Sequence, residues 1–239
     1  MLMATKQASY GSQHFFHTDS AVRDLQNEVW SRRYELWKGN PPLRRIDVLE
    51  PAVALEMLGY TVEYVNSLGE FRINGVRSEA AGEIDGTEKT VKVSRRFFLP
   101  EQRFTLAHEL GHAVRHPNIG RMHRDLPLEH AGVVRDPKEV EANHFASRFL
   151  MPELHVRSDF SQRFVAERLD LADEAVAYAL CGASTDAVRL RYRGSRAFSR
   201  FVASTEGFNG KRFRSLSSLY RVSVGAMAIR LEELELINY

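Results

Sequence analysis

Apolar residues recur at helical spacing between residues 20 and 37, SAVRDLQNEVWSRRYELW, where Val22, Leu25, Val29, Trp30 and Leu36 approach one face. The GNPP sequence at 39–42 stops that helix. The twenty residues before it are polar, with Gly and Ser, and predict a loosely held tail. A second helix is predicted from Asp47, with Glu50 three positions on as a capping pair, to Gly59. The pattern then changes to alternation: TVEYV at 61–65 predicts a strand, and AAGEI and TVKVS predict two more, connected through Asp85 and Gly86. Helical spacing returns near Pro100 and cannot pass Pro117. Residues 118–136 read as a loop. Another helix starts at DPKE, with Asp136 as N-cap and Pro137 in the first helical position, and Pro152 marks the next boundary. From there the chain turns helical: LADEAVAYALCG ends on a C-cap glycine, and SLSSLYRVSVGAMAIRLEELEL predicts two helices around a tight turn, the second capped by Ser223. The expected division is a tail over 1–20, a mixed domain over 21–152 and an all-helical domain over 153–239, an α+β chain without internal repeats.

Composition narrows this picture. With 239 residues, 44% of them hydrophobic, the chain builds one generous core or two small ones. No run of eighteen apolar residues occurs, and the first residues lack the basic and apolar segments of a secretory signal, so a cytoplasmic location without a membrane partner is expected. The single cysteine, Cys181, excludes an internal disulfide framework and a metal site built on several thiolates. It reads as a small buried side chain near a helix end. Any metal must be held by His, Asp or Glu.

The stretch RFTLAHELGHAVRHP, residues 103–117, supplies such donors. His108 and His112 stand four apart, so on a helix both imidazoles face one ion. A catalytic zinc also needs a third protein ligand and keeps its fourth position for a water, whose proton Glu109 is placed to accept. Gly111, beside His112, permits close approach of a substrate or of another backbone. The ligand is not supplied by an extension of the motif, because Arg115 and Asn118 stand where a glycine and a third histidine would be required. Glu139 and Glu141 both lie on the helix after Pro137, and 26 residues intervene between His112 and Glu139, enough for the chain to return across the site. Glu139 is preferred because Asn143, one turn later, can orient a ligand histidine from behind; its competing role is a capping-box answer to Asp136.

RFTLAHELGHAVRHP followed by KEVEANHFASRFLMPE closely resembles the ImmA/IrrE-like metallopeptidases, whose second signature is filled here by Glu139, Ala142, Asn143, Phe145, Ala146, Leu150, Met151 and Pro152, with Phe149 in place of a leucine. The resemblance is strong over roughly residues 45–155 and looser over 210–236. It implies a thermolysin-like (gluzincin) core with a small sheet, Zn2+ bound by His108, His112 and Glu139, Glu109 as general base, and cleavage of a helix-turn-helix (Xre-like) repressor that controls stress, mobile-element or defence genes. A substrate strand is expected to add to the sheet edge near TVKVS. The alternative is a regulatory protein that captures the repressor without cutting it, its zinc serving structure alone. His116, His123, His130 and His144 are the candidates for stabilising an oxyanion.

The charge pattern adds one further feature. Between Ala187 and Arg214 stand eight basic residues, Arg189, Arg191, Arg193, Arg196, Arg200, Lys211, Arg212 and Arg214, against one acid, Glu206, in a chain whose net charge is only +2. Tyr192, Phe198, Phe201, Phe208 and Phe213 are interleaved with them. Cations beside aromatics fit single-stranded DNA or another anionic effector, while an amphipathic core with a solvated basic face accounts for the same pattern. The C-terminal helix pair has helix-turn-helix proportions, but its second helix opens with the apolar VGAMAI, which suits packing better than base reading.

Overall fold

The computed structural model describes residues 3–73, 76–117, 123–124 and 136–239, and divides into two units, Met1–Leu150 and Met151–Tyr239. Among the described residues no helix is long and apolar enough to cross a membrane.

In the first unit, α1 (Met3–Ser31) and the single turn α2 (Arg33–Leu36) precede a 3-10 turn at Arg45–Val48 and α3 (Pro51–Met57). The helix predicted from Asp47 is thus broken, and the α-helix proper starts where Pro51 supplies a preset φ in its first turn. The polar segment expected to be a loose tail continues α1 back to Met3. Its pattern lacks an apolar stripe because part of its contact is polar: Thr18 is fully buried and donates to Glu141, while Val22, Leu25 and Val29 supply the apolar face.

Strands β1 (Thr61–Val65), β2 (Glu70–Ile73), β3 (Val76–Glu79), β4 (Gly82–Asp85) and β5 (Thr90–Ser94) follow. Helix α4 (Leu99–Arg115), the two-residue strand β6 (His123–Arg124) and α5 (Pro137–Leu150) complete the unit. The main sheet runs β1-β5-β4-β6, with β1 parallel to β5 and the other neighbours antiparallel. Val91 and Val93 alternate onto the buried face of β5. Asp85 Oδ1 accepts from the backbone N–H of Thr87 and Glu88, closing the β4–β5 turn. The β2–β3 hairpin was not foreseen. Nor is TVKVS an edge: β5 lies between β1 and β4, both of its ladder sides occupied, so the strand-addition site expected there does not exist. The loop expected over 118–136 lies mostly outside the described residues.

The second unit contains α6 (Glu153–Phe164), β7 (Leu169–Asp170), α7 (Glu174–Cys181), α8 (Thr185–Arg191), α9 (Ser195–Ser204), β8 (Gly207–Phe208), β9 (Lys211–Arg212), α10 (Leu216–Tyr220), α11 (Val224–Glu233) and β10 (Ile237–Asn238). It is not all-helical: β10 pairs parallel with β7, and β8 with β9 in a hairpin. That hairpin turns at Asn209 and Gly210, both with positive φ, the backbone such a two-residue turn requires. Helix α7 ends on left-handed Gly182, the C-cap its sequence predicts, and at its start the Asp173 side chain accepts the N–H of Ala175. Phe160, Phe164, Phe198, Met227 and Leu231 form the core. Arg230, the one basic residue of α11, is buried; it donates to the Met151 carbonyl at 3.1 Å and pairs with Glu233.

Candidate metal centre

Two capped helices carry the site. Glu101 accepts the backbone N–H of Phe98 at 2.9 Å, and Pro100 sits in the first turn, fixing the start of α4. Asp136 accepts the N–H of Lys138 at 2.8 Å and begins α5, so the Asp136 cap forms without the Glu139 side chain. The helices approach closely because residue 111 is glycine. A Cβ there would lie 3.1 Å from the Cα and carbonyl oxygen of Ala142 and from Cβ of Phe145. Of the two uses foreseen for Gly111, helix packing is the one the structure displays. Burial of Leu110, Phe145 and Phe149 holds the pair together, each full-sized side chain contributing about 1.5–3 kcal/mol.

This packing brings His108, His112 and Glu139 together, with one donor atom from each within 4.8 Å of the others. The two Nε2 atoms stand 2.9 Å apart. Glu139 reaches His108 Nε2 and His112 Nε2 at 3.3 Å, one carboxylate oxygen to each. Both histidines and Glu109 are wholly buried. His108 Nδ1 lies 3.0 Å from Asn143 Oδ1. An amide oxygen only accepts, so the His108 proton sits on Nδ1 and its Nε2 presents a lone pair. With both Nδ1 atoms engaged, lone-pair nitrogens and carboxylate oxygens at these separations repel unless a proton or a metal ion lies among them. The donor set therefore fits a divalent metal, and imidazole with carboxylate is a set zinc accepts.

Glu109 projects from α4 toward β4. A Cβ added at Gly82 would lie 2.7 Å from Glu109 Oε1 and 2.4 Å from Thr105 Cγ2. Gly82 thus leaves the space that the base-candidate carboxylate fills, which the sequence did not disclose. Its nearest signal was a glycine inside a predicted strand.

The remaining candidates separate. Glu141, the rival third ligand, turns away from the cluster: it accepts from Thr18 at 2.5 Å and from Arg115 at 2.8 Å, and lies 3.1 Å from His116 Nε2. His116 Nδ1 stands 3.1 Å from His112 Nδ1, on the side of that ring away from Glu139, which is not where an oxyanion would form. Burial holds the His116 ring below the ordinary histidine pKa, although Glu141 opposes that shift. His144 stacks on Phe15 and pairs with Asp19 at 2.8 Å, so it too is engaged elsewhere. His123 is placed only as part of β6, and His130 lies outside the described residues.

The basic residues are distributed over α8 (Arg189, Arg191), the link after it (Arg193), α9 (Arg196, Arg200), β9 (Lys211, Arg212) and the approach to α10 (Arg214), and all are exposed. Arg196 pairs with Glu232 at 2.8 Å. The interleaved aromatics largely serve packing: Phe198 is wholly buried, Phe213 meets Phe164 edge-on, and Tyr192 stacks on Phe201 at 4.3 Å. Cys181 is half-buried, and burial pushes its thiol pKa up, away from a reactive thiolate.

A helix carrying two histidines and a glutamate, answered by a carboxylate from a second helix under a small mixed sheet, defines a metallopeptidase-like protein. The chain belongs to the M78 peptidases, since the model of the IrrE N-terminal-like domain matches residues 66–191, more than half of its 239 residues. The match includes β4, β5 and both site helices, and runs on to the end of α8. No curated protein matches the chain.

Proposed function

We propose that this protein is a zinc-dependent endopeptidase of narrow specificity with a thermolysin-like (gluzincin) core, acting on a helix-turn-helix (Xre-like) repressor. The observation that carries the reading is the buried set His108, His112 and Glu139 with Glu109 beside it. A site that only braced the fold would need no adjacent carboxylate. Zinc held there supplies Lewis acidity, bringing a bound water to a pKa of about 7 and polarising the scissile carbonyl. His108 and His112 present their Nε2 atoms from one helix face, and Asn143 fixes the first of these rings. Glu109 accepts the proton of the attacking water and returns it to the departing amine nitrogen. The absence of a side chain at Gly82 leaves room for that carboxylate beside β4.

The repressor as substrate rests on the family resemblance. The test is coexpression with the helix-turn-helix repressor encoded nearest the gene, followed by intact-mass measurement of that repressor. One discrete cut is expected, lost on Glu109→Gln by at least about 100-fold in rate. An associated but uncut repressor would instead favour capture without cleavage. A single-stranded DNA or other anionic effector has narrower support, the exposure of the eight basic side chains, and the same assay with and without an oligonucleotide measures it.

A further inference from the structure

The two histidines of the site are held from behind in different ways. Behind His108 stands a neutral amide, Asn143, and nothing more is needed to set that ring's proton on Nδ1. Behind His112 stands another imidazole: His112 Nδ1 and His116 Nδ1 are 3.1 Å apart. Two ring nitrogens in contact share one hydrogen, so one donates and the other accepts. His116 alone does not decide which, because each neutral imidazole has two tautomers.

The decision comes from the far side of His116. Its Nε2 lies 3.1 Å from Glu141 Oε2, and the Glu141 side chain is only 5% exposed. An ionised carboxylate accepts and never donates, so it places the His116 proton on Nε2. His116 Nδ1 is then a bare acceptor, His112 Nδ1 must carry a hydrogen, and His112 Nε2 is left as the lone pair facing Glu139 and His108. Glu141 itself is fixed from two directions, by Arg115 Nε at 2.8 Å and by Thr18 Oγ1 at 2.5 Å, the latter from α1, 123 residues away in sequence.

We propose that Glu141 and His116 are positioning residues for the metal site: a buried carboxylate–imidazole relay that selects the metal-binding tautomer of His112 and orients its ring. The inference rests on the reading of His108, His112 and Glu139 as metal ligands. The relay makes Thr18 and α1 part of what supports the site. It also explains why a carboxylate two residues from the third ligand faces away from the metal.

The proposal is tested on the full chain with zinc as the probe, measuring affinity by competition with a chromophoric chelator and the melting temperature of the metal-free protein alongside. His116→Phe keeps the ring volume and removes the acceptor; it should weaken zinc binding about 10- to 100-fold, and the metal-free melting temperature shows how far the fold itself is weakened. His116→Gln, whose amide oxygen accepts from His112 and whose amide nitrogen donates to Glu141, should recover most of the loss. Zinc affinity of His116→Phe within about threefold of the parent overturns the relay. Nitrogen and proton shifts of the imidazoles in the unaltered zinc-loaded protein give a second reading that needs no variant. His116 protonated on Nε2 alone is the expected state, and a proton on its Nδ1 refutes the proposal. An unaltered chain that binds no zinc refutes the ligand assignment itself, a result separate from the failure of the relay.

Discussion

The α4–α5 helix pair and the segment from Ala187 to Arg214 are both rich in charged and aromatic side chains, yet one buries them and the other leaves its charges in water. In the helix pair, buried His108 and His112 are each held from behind through Nδ1, and Phe145 and Phe149 pack without exposure. In the basic segment the cations are exposed, and the aromatics between them turn inward or onto one another. The difference is energetic. Burying a polar group without a partner costs about 1–3 kcal/mol, so a buried cluster persists only with its geometry complete. An exposed arginine carries no such constraint, and its position does not define a ligand. Chemistry can therefore be read from the first region in some detail, and from the second only as charge.

The largest expected contrast is in packing. Phe145→Ala should destabilise the first unit by about 3–5 kcal/mol, whereas Phe201→Ala, at a half-buried position, should cost clearly less; urea unfolding of the two variants decides this. Equal losses would mean that the basic segment is as tightly built as the site. Next comes the close approach of the helices. Gly111→Val forces atoms against the Ala142 backbone and should cost about 1–3 kcal/mol, with weaker zinc binding. The smallest effect on stability is expected from the charges. Arg189→Ala, Arg191→Ala and Arg193→Ala together should move stability by no more than about 0.5 kcal/mol per site while reducing any salt-sensitive binding of short oligonucleotides. A flat titration of the unaltered protein at low salt would remove the effector reading.

How much of this was legible in the sequence follows the same division. The spacing of His108 and His112 is a property of one helix, and the placement of Glu139 and Asn143 follows from a second helix of matching signature, so their clustering was legible in the sequence. Strands β1, β4 and β5 were legible from alternation, and the caps at Asp136, Gly182 and Ser223 from residue type. What local pattern could not reveal were long-range choices. TVKVS looked like an edge because alternation does not specify neighbours, whereas β5 is interior and Val91→Pro would break the sheet itself. The helical start of the chain was hidden because its anchors, Thr18 to Glu141 and Asp19 to His144, are polar contacts made with α5. Strands of two residues in the second unit are too short for any periodicity to register. His116 was legible in position, four residues after His112, but its direction depended on Glu141, a carboxylate that the sequence could offer only as a rival ligand.

Whether the buried set holds a metal decides the function, and the zinc content of the folded protein by native mass spectrometry tests this most directly. One zinc ion per chain is predicted for the unaltered protein and for Glu109→Gln, with the ion lost or much more weakly held in Glu139→Gln. An unaltered protein that stays metal-free after exposure to zinc, or a Glu139→Gln variant that retains the ion as firmly as its parent, would contradict the site described here.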